Sequence, residues 1–302
     1  MQRPLRAALF AAPMLLALAA PRPARAEEPR RAATLMSRGT APYQRALQGF
    51  LKKWDGEVRR HDLEFEDDAV ARIRSEAPQV VVAVGAKAAK AAQGIGNVPV
   101  VYCVVLDPAA QGIGASHVTG VPVEIPAHVQ LGQLKQLLPD RRRVGLVFNP
   151  ARSGAEVSEA QAAGAKLGLE LVVEPAASAA EFPQALQKLL SKVDALWLLA
   201  DSTVVTQDTF RLMLEAAHAQ KLPLMVFSDE FVRLGALFAL SPDFEASGAE
   251  AARLAKEIAS GRKPQEVGGG TPKWNLVYNP STAKALGLTL PEAALKGAVA
   301  LP

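Results

Sequence analysis

Cysteine is nearly missing from this chain. Cys103 is the single one in 302 residues, which excludes an internal disulfide. It sits inside the apolar run Val100–Leu106, a setting for packing rather than reactivity. Aromatic residues make up only 5% of the chain, which argues against a sugar site built on stacked rings. An excess of one charge is lacking as well. The net charge of +4 rests on Arg3, Arg6, Arg22 and Arg25: 34 Lys and Arg less these four leaves 30, against 30 Asp and Glu. With the charges balanced and no basic stripe with interleaved aromatics, no nucleic-acid partner is expected.

Chemistry-bearing motifs are missing too. No G-x-S-x-G elbow is present, and the four histidines, His61, His117, His128 and His218, are scattered along the chain. No His, Cys or carboxylate cluster has zinc spacing. Gly112-x-Gly114 lacks a third glycine and does not lie between a strand and a helix, so it is no dinucleotide fingerprint. These absences point away from an enzyme, a bound metal and a resident cofactor.

Long apolar runs are scarce. Ala7–Ala20, interrupted by Pro13, is too short and wrongly flanked to span a bilayer. It follows Arg3 and Arg6 and precedes Ala24-Arg25-Ala26, the pattern of a secretory signal peptide cleaved after Ala26. The expected mature chain is periplasmic and, with no cysteine for lipid attachment near the cleavage point, soluble. Its 276 residues suit two lobes, each with its own core.

What the chain does contain is a repeated α/β pattern. In the stretch Lys192–Asp229 the apolar run Ala195–Ala200 stops at Asp201-Ser202-Thr203. A helical pattern follows, with Phe210, Met213, Leu214 and Ala217 on one face, and a second apolar run, Leu224–Phe227, stops at Ser228-Asp229. Apolar runs of this kind read as strands buried on both faces, and with the helix between them they make a βαβ unit. Gln79–Asp107 repeats the pattern, and Ala33–Trp54 echoes Val144–Leu167. The expected fold is α/β: two similar lobes, each a parallel sheet flanked by helices, joined by a hinge of several crossings. Val118–Pro122 and Lys263–Pro272 read as crossings. The expected lobes are 27–120 with 242–268, and 121–241 with 269–302. Ser153-x-x-Glu156 and Ser247-x-x-Glu250 read as capping boxes that open helices.

Strand ends in such sheets carry ligand sites. The candidates are Ser37 and Arg38 after the first strand, Gly85, Ala86 and Lys87 at the start of an Ala-rich helix, and Asp107. In the second half they are Asn149, Arg152, Ser153, Asp201, Ser202 and Ser228. Each also has a purely local reading as a cap or turn residue. Converging helix N-termini favour an anionic group such as a carboxylate. Asp201 is expected to point into the cleft and oppose a cation. Trp197, mid-strand, reads as core.

Nearly the whole mature chain resembles the tryptophan/phenylalanine-type family of ABC-transporter substrate-binding proteins, which have a type I periplasmic-binding fold. The resemblance rests on VVVAVGAKAA, VPVVYCVVLDP, HVTGV, LLPDRRRVGLVFNP, ALWLLADSTV, GALFALSPDFEASGAEAARLAKEIASGRKP and WNLVYNPSTAKALGLTLP. It implies three hinge crossings, a small ligand closed between the lobes, and an ABC permease with its ATPase as partner. The departures are Gly85-Ala86-Lys87 for Gly-Thr-Pro, His117 for Asn, Arg152-Ser153 for Asn-Ser and Asp201-Ser202 for Asp-Asn. They fall on the implied pocket, so the resemblance speaks for the fold more than for the amino-acid ligand. The expected function is a monomeric periplasmic solute-binding protein of an ABC importer, taking a small polar ligand such as an amino acid or related carboxylate. Alternatives are a sensor of the same fold that signals to a membrane receptor, and a periplasmic enzyme on an α/β scaffold.

Overall fold

The computed structural model describes residues 29–302 except Asn97, so the expected signal peptide lies outside the described residues. The first sheet holds β1 (Arg31–Met36), β2 (Glu57–Asp62), β3 (Val80–Val84), β4 (Val100–Val105) and β5 (Val118–Pro122). Helices α1 (Ala41–Lys53), α2 (Ala69–Glu76) and α3 (Ala86–Gln93) connect the first four strands. All five run parallel, in the order β2-β1-β3-β4-β5. Every residue of β3, VVVAV, is buried, because helices cover both faces of a parallel sheet.

The chain then passes through α4 (Ala127–Leu137) to a second sheet. Its strands β6 (Arg143–Phe148), β7 (Glu170–Pro175), β8 (Ala195–Trp197), β9 (Leu224–Val226) and β10 (Phe238–Pro242) alternate with α5 (Pro150–Lys166), α6 (Phe182–Leu190), α7 (Gln207–Ala219) and α8 (Asp229–Arg233). They lie in the order β7-β6-β8-β9-β10, the order of the first sheet repeated. The duplication legible in the sequence is therefore a duplicated topology. Helices α9 (Phe244–Ala259) and α10 (Pro264–Val267) return to the first sheet. There Ala251, Leu254, Ala255 and Ile258 share a core with Phe50, Trp54, Val82 and Val101. Strand β11 (Trp274–Tyr278) rejoins the second sheet antiparallel to β10, followed by α11 (Pro280–Ala285), a 3-10 turn (Glu292–Leu295) and the edge strand β12 (Val299–Ala300).

The chain thus changes sheets three times: after β5, after β10 and after α10. The crossings brace one another. Thr119 Oγ1 donates to the Gly268 carbonyl at 2.6 Å and Gly270 N to the Gly120 carbonyl at 2.9 Å. Asp243 N donates to the Lys273 carbonyl, also at 2.9 Å.

Several local expectations differ from the structure. Val118–Pro122 is strand β5 rather than a free crossing, since its backbone pairs with β4. Val121 and Pro122 therefore stay with the first sheet and Pro242 with the second, one or two residues from the expected joints. Neither Ser-x-x-Glu pattern starts a helix. Asn149 caps α5 by accepting from Ala151 N, and Asp243 caps α9 by accepting from Ala246 N. Asx residues compete well for the cap position, and here they stand four residues ahead of the serines.

The edge of the second sheet away from the cleft carries an ion pair. Arg143 Nη2 lies 2.8 Å from Asp194 Oδ1, and the backbone N–H of Arg143 donates to Asp194 Oδ2 at 3.0 Å. The Arg143 side chain outweighs desolvation and, with these backbone donors, holds the Asp194 carboxyl down at about 2. A depressed carboxyl contributes stability above its unfolded pKa, and that stability is lost as pH falls through about 4 towards about 2. Asp194→Asn is expected to cost on the order of 1 kcal/mol at neutral pH and almost nothing near pH 2. Urea unfolding followed by circular dichroism across that range checks it; a constant gap between variant and parent at every pH would contradict it.

Candidate functional site

In both sheets the strand order reverses next to the first strand of the unit, between β1 and β3 and between β6 and β8. Loops leaving neighbouring strands part there in opposite directions and open a crevice at the strands' C-terminal ends. Each half of the chain places most of its candidate residues at this point; Asp107 follows β4 and Ser228 follows β9, one strand away.

In the first lobe Ser37, Arg38, Ala86 and Lys87 line a recess of ≈ 380 Å³ together with Tyr43 and Glu64. Gly85 lies beneath it with φ +92°, where a Cβ would stand 2.6 Å from Ser37 Oγ and 2.7 Å from Tyr43 Cζ. Only glycine fits that conformation and that space. Ser37, buried, accepts from Ala88 N at 2.9 Å and so pins the first turn of α3 to the end of β1. Arg38 and Lys87 are exposed. These two cations and the α3 N-terminus make this edge receptive to an anionic group.

In the second lobe the structure overturns the expectation for Asp201. Its side chain is fully buried. The carboxylate accepts from Thr203 N at 2.9 Å, Thr203 Oγ1 at 2.6 Å, Asn149 N at 2.8 Å and Ser153 Oγ at 2.8 Å. Burial pushes its pKa up, but the bonds from Thr203, Asn149 and Ser153 outweigh that and hold it below the usual carboxylate value. With both oxygens taken, Asp201 ties the β6–α5 turn to the end of β8 and does not face the cleft. Asn149 is committed as well: Oδ1 caps α5, and Nδ2 donates to the Ala177 carbonyl at 3.0 Å. The structure thus joins Asn149, Ser153 and Asp201 into one internal network. Arg152 and Ser202 are exposed, and Ser228 is half-buried at the α8 N-terminus; none of the three lines either recess. Asp107 is exposed, and its carboxylate closes a turn by accepting from Ala110 N at 3.0 Å.

A second recess, ≈ 110 Å³, lies at the hinge between the two sheet edges. Leu106 after β4 and Val123, Glu124 and Ile125 after β5 line it from one side. Leu199, Ala200, Phe227, Leu240 and Pro242 line it from the second sheet, with Gln130 and Glu156 from α4 and α5. Leu106 is 49% exposed and stands between two non-glycine residues of positive φ, Val104 at +55° and Asp107 at +42°. A β-branched residue there marks local strain, a condition found at ligand-holding turns. Glu124 Oε1 accepts from Asp107 N across this turn. Desolvation raises the Glu156 carboxyl, and the nearby charges of Glu124, Asp201, Glu159 and Asp107 raise it further.

Leu106, Glu124, Glu156 and Phe227 escape sequence reasoning as site residues. One signal does exist: Glu124 is a lone acid between Val123 and Ile125, directly after a buried strand. Cys103 is buried, with its thiol pushed up to about 12 by desolvation, as the apolar run implied. Trp197 is likewise core. Among the described residues no group of three or more His, Cys, Asp or Glu is placed to hold a metal ion. No helix among them is long and apolar enough to cross a membrane.

Compared with known proteins, residues 49–301 match the family described as ABC transporter substrate binding protein. A tyrosine-binding protein of Clostridioides difficile (strain R20291) is 23% identical over 244 residues, 78% of this chain and 70% of that protein. Two solved structures share the fold. One is the ligand-free, open structure of a substrate-binding protein with adhesive properties from Clostridium difficile, with TM-score 0.77 at 19% identity, covering 90% of this chain and 99% of that one. The other is an ABC domain from Streptococcus pneumoniae in complex with L-Trp, with TM-score 0.60 at 22% identity, covering 91% and 100%.

Proposed function

We propose, from the premise that the chain belongs to the ABC transporter substrate-binding protein family, that it closes its two lobes on a small polar ligand and delivers it to an ABC permease. One observation carries the reading: both recesses open on C-terminal sheet edges, and the hinge recess is lined from both sheets at once. A ligand that touches both edges favours the closed state by its differential affinity. The three braced crossings supply an axis for that closure. The related tyrosine-binding protein and the L-Trp complex support an amino acid or a related carboxylate as ligand. Arg38, Lys87 and the α3 N-terminus suit the carboxylate.

Small-angle X-ray scattering of the mature protein, before and after adding ligand recovered from the denatured protein and identified by mass spectrometry, is expected to show a smaller radius of gyration in the complex. An unchanged radius at saturation would remove the clamp reading. The same reading has the chain exported, cleaved after Ala26 and monomeric in the periplasm. Intact mass of the exported protein checks the cleavage point; retention of Arg3 and Arg6 would mean an anchor instead.

A further inference from the structure

We propose that Asp243 is the fulcrum of lobe closure and that its bond to Asn275 holds the ligand-free protein open. The inference rests on the clamp reading above and names the device that sets how readily the clamp closes. All six residues lining the first-lobe recess belong to the first lobe, so the described conformation is open at that site. Closure turns one lobe on the other through the three crossings, and each crossing turns only where neither sheet holds it. The first crossing is free over residues 123–126, between Pro122 of β5 and the start of α4. The third is tied to the first lobe as far as Gly270, through Thr119 and Gly120. It joins the second sheet at Trp274, which pairs with Pro242.

In the second crossing a single residue, Asp243, separates β10 from α9, with φ −90° and ψ 94°. Its two sides are committed to different lobes. The N–H extends the β10–β11 pairing by donating to the Lys273 carbonyl at 2.9 Å. The carbonyl accepts from Ser247 N at 2.9 Å and Ser247 Oγ at 2.8 Å, and Oδ1 accepts from Ala246 N at 2.9 Å, all within α9. Rotation about the two backbone bonds of Asp243 therefore swings the second sheet against α9, as hinges at element ends do. The side chain moves with α9, because it caps that helix. Its other oxygen, Oδ2, accepts from Asn275 Nδ2 on β11 at 3.2 Å, across the joint. A swing of β11 changes that distance and leaves the α9 bonds whole. A hydrogen bond to a carboxylate thus favours the open arrangement in which it is made. The fraction closed without ligand scales the apparent affinity, so this joint sets ligand affinity from outside the cleft.

Spin labels on Phe65→Cys and Ala180→Cys, read by pulsed electron-resonance distance measurement, test this. Phe65 and Ala180 are exposed and follow β2 and β7, the strands at the sheet ends remote from β5 and β10. Cys103 is buried and takes no label. In the ligand-free protein Asn275→Ala is expected to raise the ratio of short to long distances roughly two- to tenfold, the effect of one lost hydrogen bond. Asn275→Asp sets a second carboxylate against Asp243 and should raise it at least as far. Ser247→Ala removes a bond to Asp243 on the α9 side only and should leave the ratio at the parent value. Identical distributions in the parent and both Asn275 variants overturn the inference. So does a shift in Ser247→Ala as large as theirs. L-tyrosine and L-tryptophan, added to the labelled parent, read the clamp separately. Shortening by either amino acid with no response to the Asn275 variants keeps the clamp and removes the fulcrum. A shift in the Asn275 variants with no shortening by either amino acid keeps the fulcrum and removes the amino-acid clamp.

Discussion

Gly248→Val is expected to destabilise the protein by about 3 kcal/mol or more. Helices α1 and α9 cross with their backbones in contact. A Cβ on Gly248 would lie 1.8 Å from the Ala46 carbonyl oxygen, and one on Gly49 would lie 1.9 Å from the Glu245 carbonyl oxygen. The two clashes are reciprocal, each helix presenting a glycine to the backbone of the other. Both obstacles are main chain, so no rotamer change relieves them and the helices must separate. That separation would open the core shared by Phe50, Ala46, Ala251, Ala252 and Ala255. Overpacking typically costs 1–3 kcal/mol, and backbone obstruction places this case at about 3 kcal/mol or more. Against a total of roughly 5–15 kcal/mol the loss is large. At roughly 2–4 °C per kcal/mol the melting point should fall by about 6–12 °C.

Gly132→Ala is the matched control. Gly132 lies inside α4, and a methyl group added there would have nothing within 4 Å of it. Helix propensity alone then predicts a gain of about 1 kcal/mol. Thermal melts of the three proteins decide the matter. A Gly248→Val protein that melts with the parent would mean that α1 and α9 do not pack as closely as described.

Asp201→Ala is expected to destabilise the ligand-free protein by about 3 kcal/mol or more. Truncation leaves Asn149 N, Ser153 Oγ and the two Thr203 donors without their acceptor. Water can take up the donors of Thr203, which is exposed, but Asn149 N and Ser153 Oγ lie deeper; an unsatisfied buried group costs about 1–3 kcal/mol, and the loss of the α5 turn anchor adds to it. Asp201→Asn should cost less than alanine but remain clearly destabilising, because its amide NH₂ must face another donor in place of an acceptor oxygen. Ser153→Ala removes one donor and should cost about 1 kcal/mol.

The pH dependence has a defined sign. The Asp201 carboxyl is held below its ordinary value by Thr203, Asn149 and Ser153 despite its burial. Its contribution is therefore complete above the unfolded carboxylate pKa and fades as the pH falls through the lowered one. Urea unfolding at neutral pH, with ligand affinity measured on the folded fraction, separates the two roles. Wild-type stability combined with strongly weakened binding would return Asp201 to the cleft.

The layers of the fold and their repetition are written in local sequence. The uninterrupted run VVVAV can be buried on both faces only in a covered parallel sheet. The periodicity of Phe210, Met213 and Ala217 sets the buried face of α7 in the same way. These are local properties, so they survive without knowledge of partners. The strand-end positions of Ser37, Gly85 and Lys87 are legible too, because a small residue where an apolar run stops marks close approach. Asp201 is not. Its neighbours Asn149 and Ser153 come from another strand-end turn, 52 and 48 residues away in sequence, and a carboxylate reads alike whether it meets ligand or backbone N–H. The helix starts expected at Ser153 and Ser247 fail for a related reason, since two plausible caps four residues apart are separated only by which one the fold buries. Leu106, Glu124, Glu156 and Phe227 belong to four segments that no periodicity links. Tertiary structure alone brings them together, because the hinge recess exists only where two separately folded sheet edges meet.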